Sequence, residues 1–239
     1  MQLQVIAHAR NGFTQKFGIP RQSREDSCIE TRIVFTPLYR AREALRGING
    51  YSHLWLLWGF HLADTYIDGG DTDLAAWHPT VRPPRLGGNT RMGVFATRSP
   101  FRPNPIGLTC VRLLRTEDTP QEGTVLVVTG ADLLDGTPIY DIKPYLSFSD
   151  SHPDARNGFA EATKDYRLPV HIPADLLARI TSQGCPWQAL EELLSQDPRP
   201  AYQDAPDRIY HLDYAGWAVS FTVTNATVCV KNIDKKLPF

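Results

Sequence analysis

Apolar and β-branched residues occur in short runs along the first two-thirds of the chain, and Gly, Pro, Asn and Asp separate the runs. This pattern is typical of strands joined by turns. The predicted strands are QVIAHAR, CIETRIVF, HLWLLWGF, RMGVFAT, GLTCVRLLRT, TVLVVTGADLL and PIYDIKPYL. The exception is PLYRAREALRG, where Pro37 and Gly47 frame a predicted short helix. Short strands without long helices between them predict a mainly antiparallel sheet closed into a barrel or a sandwich.

The pattern changes near residue 148. The stretch SFSDSHPDARNGFAEATKDYR is polar and has no periodicity, which indicates a linker or a long surface loop. Beyond it, ADLLARITSQG and PWQALEELLSQ have helical spacing, whereas RIYHLDY, GWAVSFTVT and ATVCVKNI have the composition of strands. We therefore predict a β domain over 1–148, a linker over 149–167, and a small α+β C-terminal domain over 168–239.

Composition places few further limits on the chain. It has 239 residues, 42% of them hydrophobic, which is enough for a folded core. No apolar run has the length of a membrane span, and the first residues lack the pattern of a signal peptide, so we expect a cytoplasmic protein. The four cysteines and seven histidines are dispersed without metal-binding spacing, and we expect no metal site.

The charge is distributed unevenly although the net charge is only −1. The 43 residues between Asp73 and Glu117 contain seven arginines and no acidic residue. Within them, TVRPPRLGGNTRMGVFATRSPFRPNPIGL joins arginine to proline repeatedly. Arginine presents a planar fork of donors that suits phosphate or carboxylate, and proline stiffens the loops that carry it. We interpret this Arg-Pro segment, residues 80–108, as a cationic surface for an anionic partner.

Three shorter stretches combine polar side chains with rigid turns. LDGTPIYDIKPYL contains an Asp-Gly-Thr-Pro turn, followed by Asp141 and Lys143, which alternate with Ile142 and should share one face of a strand. FGIPRQ and DPRPAY each join an arginine to a proline-fixed turn. By themselves these stretches are compatible with ordinary surface turns.

Taken in order, the motifs FGIPRQ, GYSHLWLL, HPTVRPPRLGGNTRMGVFATRSPFRPNPIGL, LLDGTPIYDIKPYL and QDPRPAY resemble the bacterial TsaA/YaeB (TrmO) family. The resemblance implies an S-adenosylmethionine-dependent tRNA (adenine-N6)-methyltransferase. Its substrate would be threonylcarbamoyl-adenosine, 3′ of the anticodon in threonine tRNAs. The resemblance also implies an N-terminal β-barrel that holds the cofactor, a small C-terminal domain and a homodimer. The stretch ADTYIDGGDTDLAAW, residues 63–77, looks like an insertion relative to the family.

The resemblance also assigns residues. Matched to the family's motifs, the cofactor-binding positions are Pro20, Arg21, Gln22, His61, Leu62, Arg91, Arg98, Leu134, Asp135, Gly136, Thr137 and Pro138. The positions expected to face tRNA are Arg82, Arg85, Arg102, Lys143, Tyr145 and Arg199.

For the chemistry, we hypothesise that Asp135 or Asp141 accepts or orients the proton on N6, because general bases are often carboxylates. Tyr202 completes the expected catalytic set and, with Tyr145, could stack on a splayed anticodon-loop base. Two other classes of protein stay open. One is a non-catalytic RNA-binding barrel without a cofactor; the other is a hydrolase or phosphoryl-transfer enzyme with Asp135 and Asp141 as metal ligands.

Overall fold

The computed structural model describes residues 2–20, 22–62, 78–83, 90–199, 205 and 207–236. The predicted site residues Arg21, Arg85 and Tyr202 and the insertion at 63–77 lie outside the described residues. The described chain is mainly β with few helices, as the sequence predicted.

The described residues contain twelve strands and three α-helices. In chain order the strands are β1 (Ala7–Arg10), β2 (Glu30–Phe35), β3 (His53–Gly59), β4 (Thr80–Val81), β5 (Met92–Gly93), β6 (Ile106–Thr119), β7 (Gly123–Thr129), β8 (Pro138–Pro144), β9 (Val170–His171), β10 (Tyr210–Tyr214), β11 (Trp217–Thr224) and β12 (Thr227–Lys235). The helices are α1 (Ser147–Asp150), α2 (Ala174–Ser182) and α3 (Trp187–Ser195).

The first sheet closes on itself. Its strands follow the order β1-β2-β7-β6-β3-β8, every neighbouring pair is antiparallel, and β8 pairs back onto β1 to complete a closed barrel. The interior is apolar because alternate residues of each strand point inward. On β3, for example, Leu54 and Leu56 are fully buried, whereas His53 and Trp55 are only partly buried.

The second sheet has the order β10-β11-β12-β9, with β9 parallel to β12 and the other pairs antiparallel. The apolar faces of α2 and α3 share one buried cluster with this sheet, through residues such as Ile180 and Leu190. Phe13 and Ile29, from the N-terminal part, belong to the same cluster. The C-terminal sheet therefore packs directly against the segment that connects β1 to β2.

Two local predictions were wrong. The predicted helix from Pro37 to Gly47 consists instead of separate 3₁₀ turns, because Ala41 has an extended backbone. Arg40 donates hydrogen bonds to the carbonyls of Phe35 and Gln121, at 3.0 Å each, and these contacts hold the segment along the barrel. Tertiary contacts therefore override a modest helix propensity.

The predicted strand RMGVFAT is also largely absent. Only Met92 and Gly93 pair, with β4, and Val94–Ala96 forms a 3₁₀ turn. The hydroxyl and the backbone N–H of Thr97 both donate to the carbonyl of Val94, at 2.8 and 3.1 Å, and this closes the turn.

The stretch predicted as a linker is irregular apart from α1 and a 3₁₀ turn over Gly158–Thr163. Asp150, at the end of α1, accepts hydrogen bonds from the indole N–H of Trp55 at 2.9 Å and the backbone N–H of Leu146 at 3.0 Å. Within the described ranges no helix has the length and apolar character needed to cross a membrane.

Candidate functional site

A cavity of about 350 Å³ lies beside the end of β3. Four parts of the chain form it: the loop after β1, the end of β3 with the residues that follow it, the Arg-Pro segment, and the connection from β7 to β8. The lining residues are Lys16, Ile19, Trp58, Gly59, Phe60, His61, Leu62, Pro100, Phe101, Asp132, Leu134 and Thr137. This volume lies within the range of cavities that bind small organic ligands.

Aromatic rings form much of the wall. Trp58 and Phe60 meet edge to face with their ring centroids 4.3 Å apart, and Phe101 is 46% exposed. Gly107 lies opposite Trp58 on the neighbouring strand, and a Cβ there would come within 2.2 Å of the indole ring. A glycine at position 107 is therefore what allows Trp58 to lie flat against the barrel wall.

A directed chain of hydrogen bonds runs from this wall to a carboxyl group. The indole N–H of Trp58 donates to the Thr109 hydroxyl oxygen at 3.0 Å, and the Thr109 hydroxyl donates to Asp132 Oδ1 at 2.8 Å. Protein atoms crowd the Asp132 carboxyl, although the residue keeps a partly accessible surface because it lines the cavity. Burial raises the pKa of Asp132 above its ordinary value near 3.8, against the opposing hydrogen bond from Thr109.

The sequence analysis did not identify Asp132. Its signal is weak: Asp132 comes three residues after a largely apolar strand, in VLVVTGAD, where an aspartate is also an ordinary turn residue. Trp58, Thr109 and Lys16 were missed for the same reason, since none belongs to a recognisable motif.

The FGIPRQ loop lies between the cavity and the C-terminal sheet. Gly18 has φ +93°, and a Cβ there would meet the Leu212 side chain at 2.2 Å, so this close approach requires glycine. At the other end of the loop, Gln22 accepts a hydrogen bond from Arg98 at 2.7 Å. The hydroxyl of Ser23 donates to the Cys110 carbonyl at 2.6 Å. Pro20 is half-buried between these anchors.

The LLDGTP turn forms another wall. The backbone N–H and hydroxyl of Thr137 donate to the Leu134 carbonyl at 3.2 and 2.8 Å, and Gly136 takes the positive φ that the turn requires. Leu134 and the buried Thr137 line the cavity. Pro138 begins β8 and is half-buried.

Asp135, predicted as a candidate base, is placed differently from its neighbours in the turn. Its carboxylate accepts the backbone N–H of Asn11 at 3.0 Å and pairs with Arg10 at 3.4 Å. It is not among the residues that line the cavity. The role that the structure gives it is to fix the turn to β1.

His61 and Leu62 both line the cavity. Burial lowers the pKa of His61 below 6.5, and the nearby charges of Lys16 and His8 lower it further. The imidazole is therefore mainly uncharged at neutral pH. Lys16 donates to the Leu62 carbonyl at 3.4 Å, which ties the loop after β1 to the end of β3.

The arginines of the Arg-Pro segment separate into different environments. Arg91 donates to the Thr80 hydroxyl at 3.0 Å on the two-stranded ribbon, and Arg102 donates to the carbonyls of Thr97 and Ser99 at 3.3 and 3.5 Å. Arg82 is exposed. None of the three lines the cavity. Arg98 donates to Gln22, and its positive charge opposes the rise in the pKa of Asp132, which lines the cavity.

Predicted RNA-facing residues lie on β8 and beyond. Asp141 and Lys143 form an ion pair at 3.0 Å, so they share a face of the strand as predicted. Tyr145 packs on Trp55 with ring centroids 5.8 Å apart. Asp141 does not line the cavity.

Arg199 lies in a different environment from these residues. It is held by both carboxylate oxygens of Asp197, at 2.8 and 2.9 Å, with its side chain only 12% exposed. Across the described residues, no group of three or more His, Cys, Asp or Glu side chains is arranged to hold a metal.

In the described part of the chain, fold and site together define a class: a β-barrel protein with an aromatic cavity whose wall carries one partly buried carboxyl group, that of Asp132. Two family descriptions match the chain, "tRNA-methyltransferase O N-terminal domain" over residues 8–151 and "TrmO C-terminal domain" over residues 166–236. The chain belongs to the tRNA-methyltransferase O family.

Relatives cover most of the chain. The tRNA (adenine(37)-N6)-methyltransferase of Escherichia coli is 38% identical over 93% of this chain and 91% of its own. A probable S-adenosyl-L-methionine-binding protein of Methanothermobacter thermautotrophicus is 34% identical over 63% of this chain and 94% of its own. A crystal structure of TrmO from Pseudomonas aeruginosa superposes with a TM-score of 0.74 at 30% identity and covers 98% of both chains.

Proposed function

We propose that this protein is an S-adenosylmethionine-dependent methyltransferase that methylates N6 of threonylcarbamoyl-adenosine next to the anticodon of threonine tRNAs. The observation that carries the proposal is the 350 Å³ cavity, with its aromatic wall and single buried carboxyl group, in a chain of this family. The relatives named as tRNA methyltransferase and as S-adenosylmethionine-binding protein support both the reaction and the cofactor.

The residues of the cavity fit the cofactor. The faces of Trp58, Phe60 and Phe101 suit a flat adenine ring. The Asp132 carboxylate complements a positively charged sulfonium or ammonium group in a site of low dielectric. When bound, S-adenosylmethionine supplies the methyl group.

The chain's own residues then have three tasks. The FGIPRQ loop, through Ile19, forms one side of the site, and the Leu134–Pro138 turn, through Leu134 and Thr137, forms another. His61 and Leu62, at the end of β3, limit the access of water. Holding the adenine N6 in line with the methyl group at near-attack distance supplies most of the acceleration, roughly 7–11 kcal/mol in favourable intramolecular cases.

The RNA side of the proposal rests on exposed cationic and aromatic residues. Arg82 and Lys143 are exposed, and Tyr145 lies beside Lys143 on the same part of the barrel. With Arg85, Arg102, Arg199 and Tyr202, these residues would contact phosphates and splayed bases. The inward ion pair of Arg199 with Asp197 would have to open for such a contact.

We also propose a division into a barrel domain (1–148), a connecting segment (149–167) and a C-terminal domain (168–239), working as a homodimer in the cytoplasm. The separate family descriptions over residues 8–151 and 166–236 support the division. The burial of Phe13 and Ile29 against the C-terminal sheet implies that the two parts stabilise each other.

The test is incubation with methyl-labelled S-adenosylmethionine and threonine tRNA that carries or lacks the threonylcarbamoyl group, followed by nucleoside mapping. Label should appear on N6 of the modified adenosine only. Cofactor binding without any transfer would favour the non-catalytic RNA-binding barrel. Equal labelling of both tRNAs would contradict the proposed substrate.

A further inference from the structure

Asp132 lies outside the sequence motifs that were matched to the family, yet it lines the cavity. Asp135 and Asp141, the two carboxylates predicted from the sequence, hold other partners and do not line the cavity. Among the described residues that line it, Asp132 is the only acidic one.

The hydrogen-bond chain fixes the proton positions around Asp132. The indole N–H of Trp58 can only donate, so the Thr109 oxygen is the acceptor in that contact. The single hydroxyl proton of Thr109 is then directed to Asp132 Oδ1. The Thr109 contact therefore delivers a donor to the carboxyl group and orients a carboxylate that is ready to accept a proton.

We propose that Asp132 is the general base that removes the N6 proton of the modified adenosine during methyl transfer. The N6–H bond breaks and its proton passes to a carboxylate oxygen of Asp132, while the nitrogen lone pair forms the bond to the methyl carbon. The electrons of the broken C–S bond stay with sulfur, so the sulfonium charge is neutralised as the carboxylate takes its proton. This role rests on the proposed function, because it requires that substrate in the cavity.

Two properties of the site support the assignment. The N6 nitrogen is a weak nucleophile whose lone pair is delocalised into the purine, and the attached carbamoyl group makes its proton more acidic, so a carboxylate can remove it. The raised pKa makes Asp132 a stronger base than an exposed aspartate would be. Thr109 is then a positioning residue that acts through Asp132.

The experiment compares D132N, T109V and T109S with the wild-type protein. For D132N we expect kcat at saturating S-adenosylmethionine to fall about 10²- to 10⁴-fold, a loss separate from any rise in the Kd for S-adenosylmethionine, which is measured by calorimetry. T109V removes a hydrogen bond that stabilises the charged carboxylate, so the acidic limb of the kcat–pH profile should shift to higher pH. T109S keeps the hydroxyl and should restore the wild-type profile.

A second readout does not depend on turnover. In cofactor-free protein labelled with ¹³C at aspartate, the Asp132 carboxyl resonance, assigned by its loss in D132N, should titrate above the usual aspartate range. In T109V it should titrate at a still higher pH. A resonance that titrates in the usual range, or that does not respond to T109V, would overturn the proposal.

The matched control is D118N. Asp118 also accepts a hydrogen bond from a threonine hydroxyl, that of Thr124 at 2.6 Å. It lines a second cavity of the barrel, which is separate from the cavity that contains Asp132. D118N should keep kcat within twofold of wild type.

Wild-type protein that transfers no methyl group would overturn both the proposed function and the role of Asp132 as general base. Active wild type with a D132N variant of unchanged kcat, or one that loses only cofactor affinity, would overturn the base alone.

Discussion

Two cavities of almost equal volume, about 350 and 340 Å³, lie on the barrel, and their linings differ in kind. The first is walled by aromatic and aliphatic side chains around Asp132. The second is lined mainly by polar and charged residues, Arg42, Glu43, Leu45, Arg46, Gly47, Ile48, Asn49, Thr116, Asp118 and Thr124. Volume alone therefore does not distinguish a ligand site from a surface depression.

A threonine-to-aspartate hydrogen bond occurs at both places, which makes the comparison a controlled one. Thr109 donates to Asp132 at 2.8 Å and Thr124 donates to Asp118 at 2.6 Å. Asp118 is 62% exposed and pairs with Arg42 at 3.4 Å. Asp132 is crowded by protein, and its pKa is raised by burial. The Thr124–Asp118 pair is therefore a solvent-exposed surface contact, whereas in the Thr109–Asp132 pair burial raises the pKa of the carboxyl group.

The largest effect should come from a substitution that crowds the first cavity. In Gly107→Ala the new Cβ would lie 2.2 Å from the Trp58 ring, so the indole must move and its hydrogen bond to Thr109 must break. We expect the free energy of unfolding to fall by about 1–3 kcal/mol, measured by urea denaturation. Affinity for S-adenosylmethionine should fall with it.

The matched control is Gly50→Ala, beside the second cavity. A Cβ at position 50 would meet nothing within 4 Å. The free energy of unfolding should stay within about 0.5 kcal/mol of wild type. If both alanine variants bind S-adenosylmethionine as wild type does, the first cavity is not the cofactor site.

A smaller effect should appear in the pH dependence of stability. Because folding raises the pKa of Asp132, the folded state holds this proton more tightly than the unfolded chain. The resulting stabilisation is fully present below the ordinary value near 3.8 and is lost as the pH rises through the raised value. A tenfold difference between the acid dissociation constants of the folded and unfolded states corresponds to about 1.4 kcal/mol.

The measurement is urea unfolding of wild type and D132N at several pH values from about 3.5 to 7, a range that begins below the ordinary aspartate pKa. The stability of wild type relative to D132N should decrease as the pH rises. Parallel pH curves for the two proteins would show that burial does not perturb Asp132, and the contrast with Asp118 would then disappear.

The smallest effect concerns RNA affinity. Replacing the exposed Arg82 with alanine should weaken tRNA binding several-fold and reduce the slope of log K against log salt by about 1. Arg42→Ala, at the second cavity, removes an arginine that is 81% exposed and should leave the slope unchanged. The slopes are measured by filter binding of tRNA over a salt series. If the two variants give equal slopes of log K against log salt, Arg82 is not part of the RNA-binding surface.

Much of the fold could be predicted from local patterns. Apolar runs rich in β-branched and aromatic residues identified strands such as HLWLLWGF, and helical spacing identified α2 and α3. Predictions failed where tertiary contacts decided the backbone. Arg40 holds a helix-like segment in separate 3₁₀ turns, and Thr97 ends the ribbon after two residues. Neither contact is visible in a local window of sequence.

The candidate site, too, was predictable from sequence motifs in part and depended on tertiary contacts for the rest. Motif resemblance singled out the FGIPRQ loop, His61 and Leu62, and the LLDGTP turn, and residues from each of these stretches line the first cavity. It could not distinguish between carboxylates three residues apart. The geometry of the turn places Asp135 against Asn11 and leaves Asp132 facing the cavity.

By itself the sequence determined that this is a mainly β protein with a stiff cationic segment and the motifs of its family, because those properties reside in residue type and spacing. Only the tertiary structure decided which side chains meet. Trp58, Thr109 and Asp132 are separated by 51 and 23 residues along the chain. They come together because β3, β6 and β7 are neighbours in the sheet, and the packing around these strands sets the burial on which the chemistry of the carboxyl group depends.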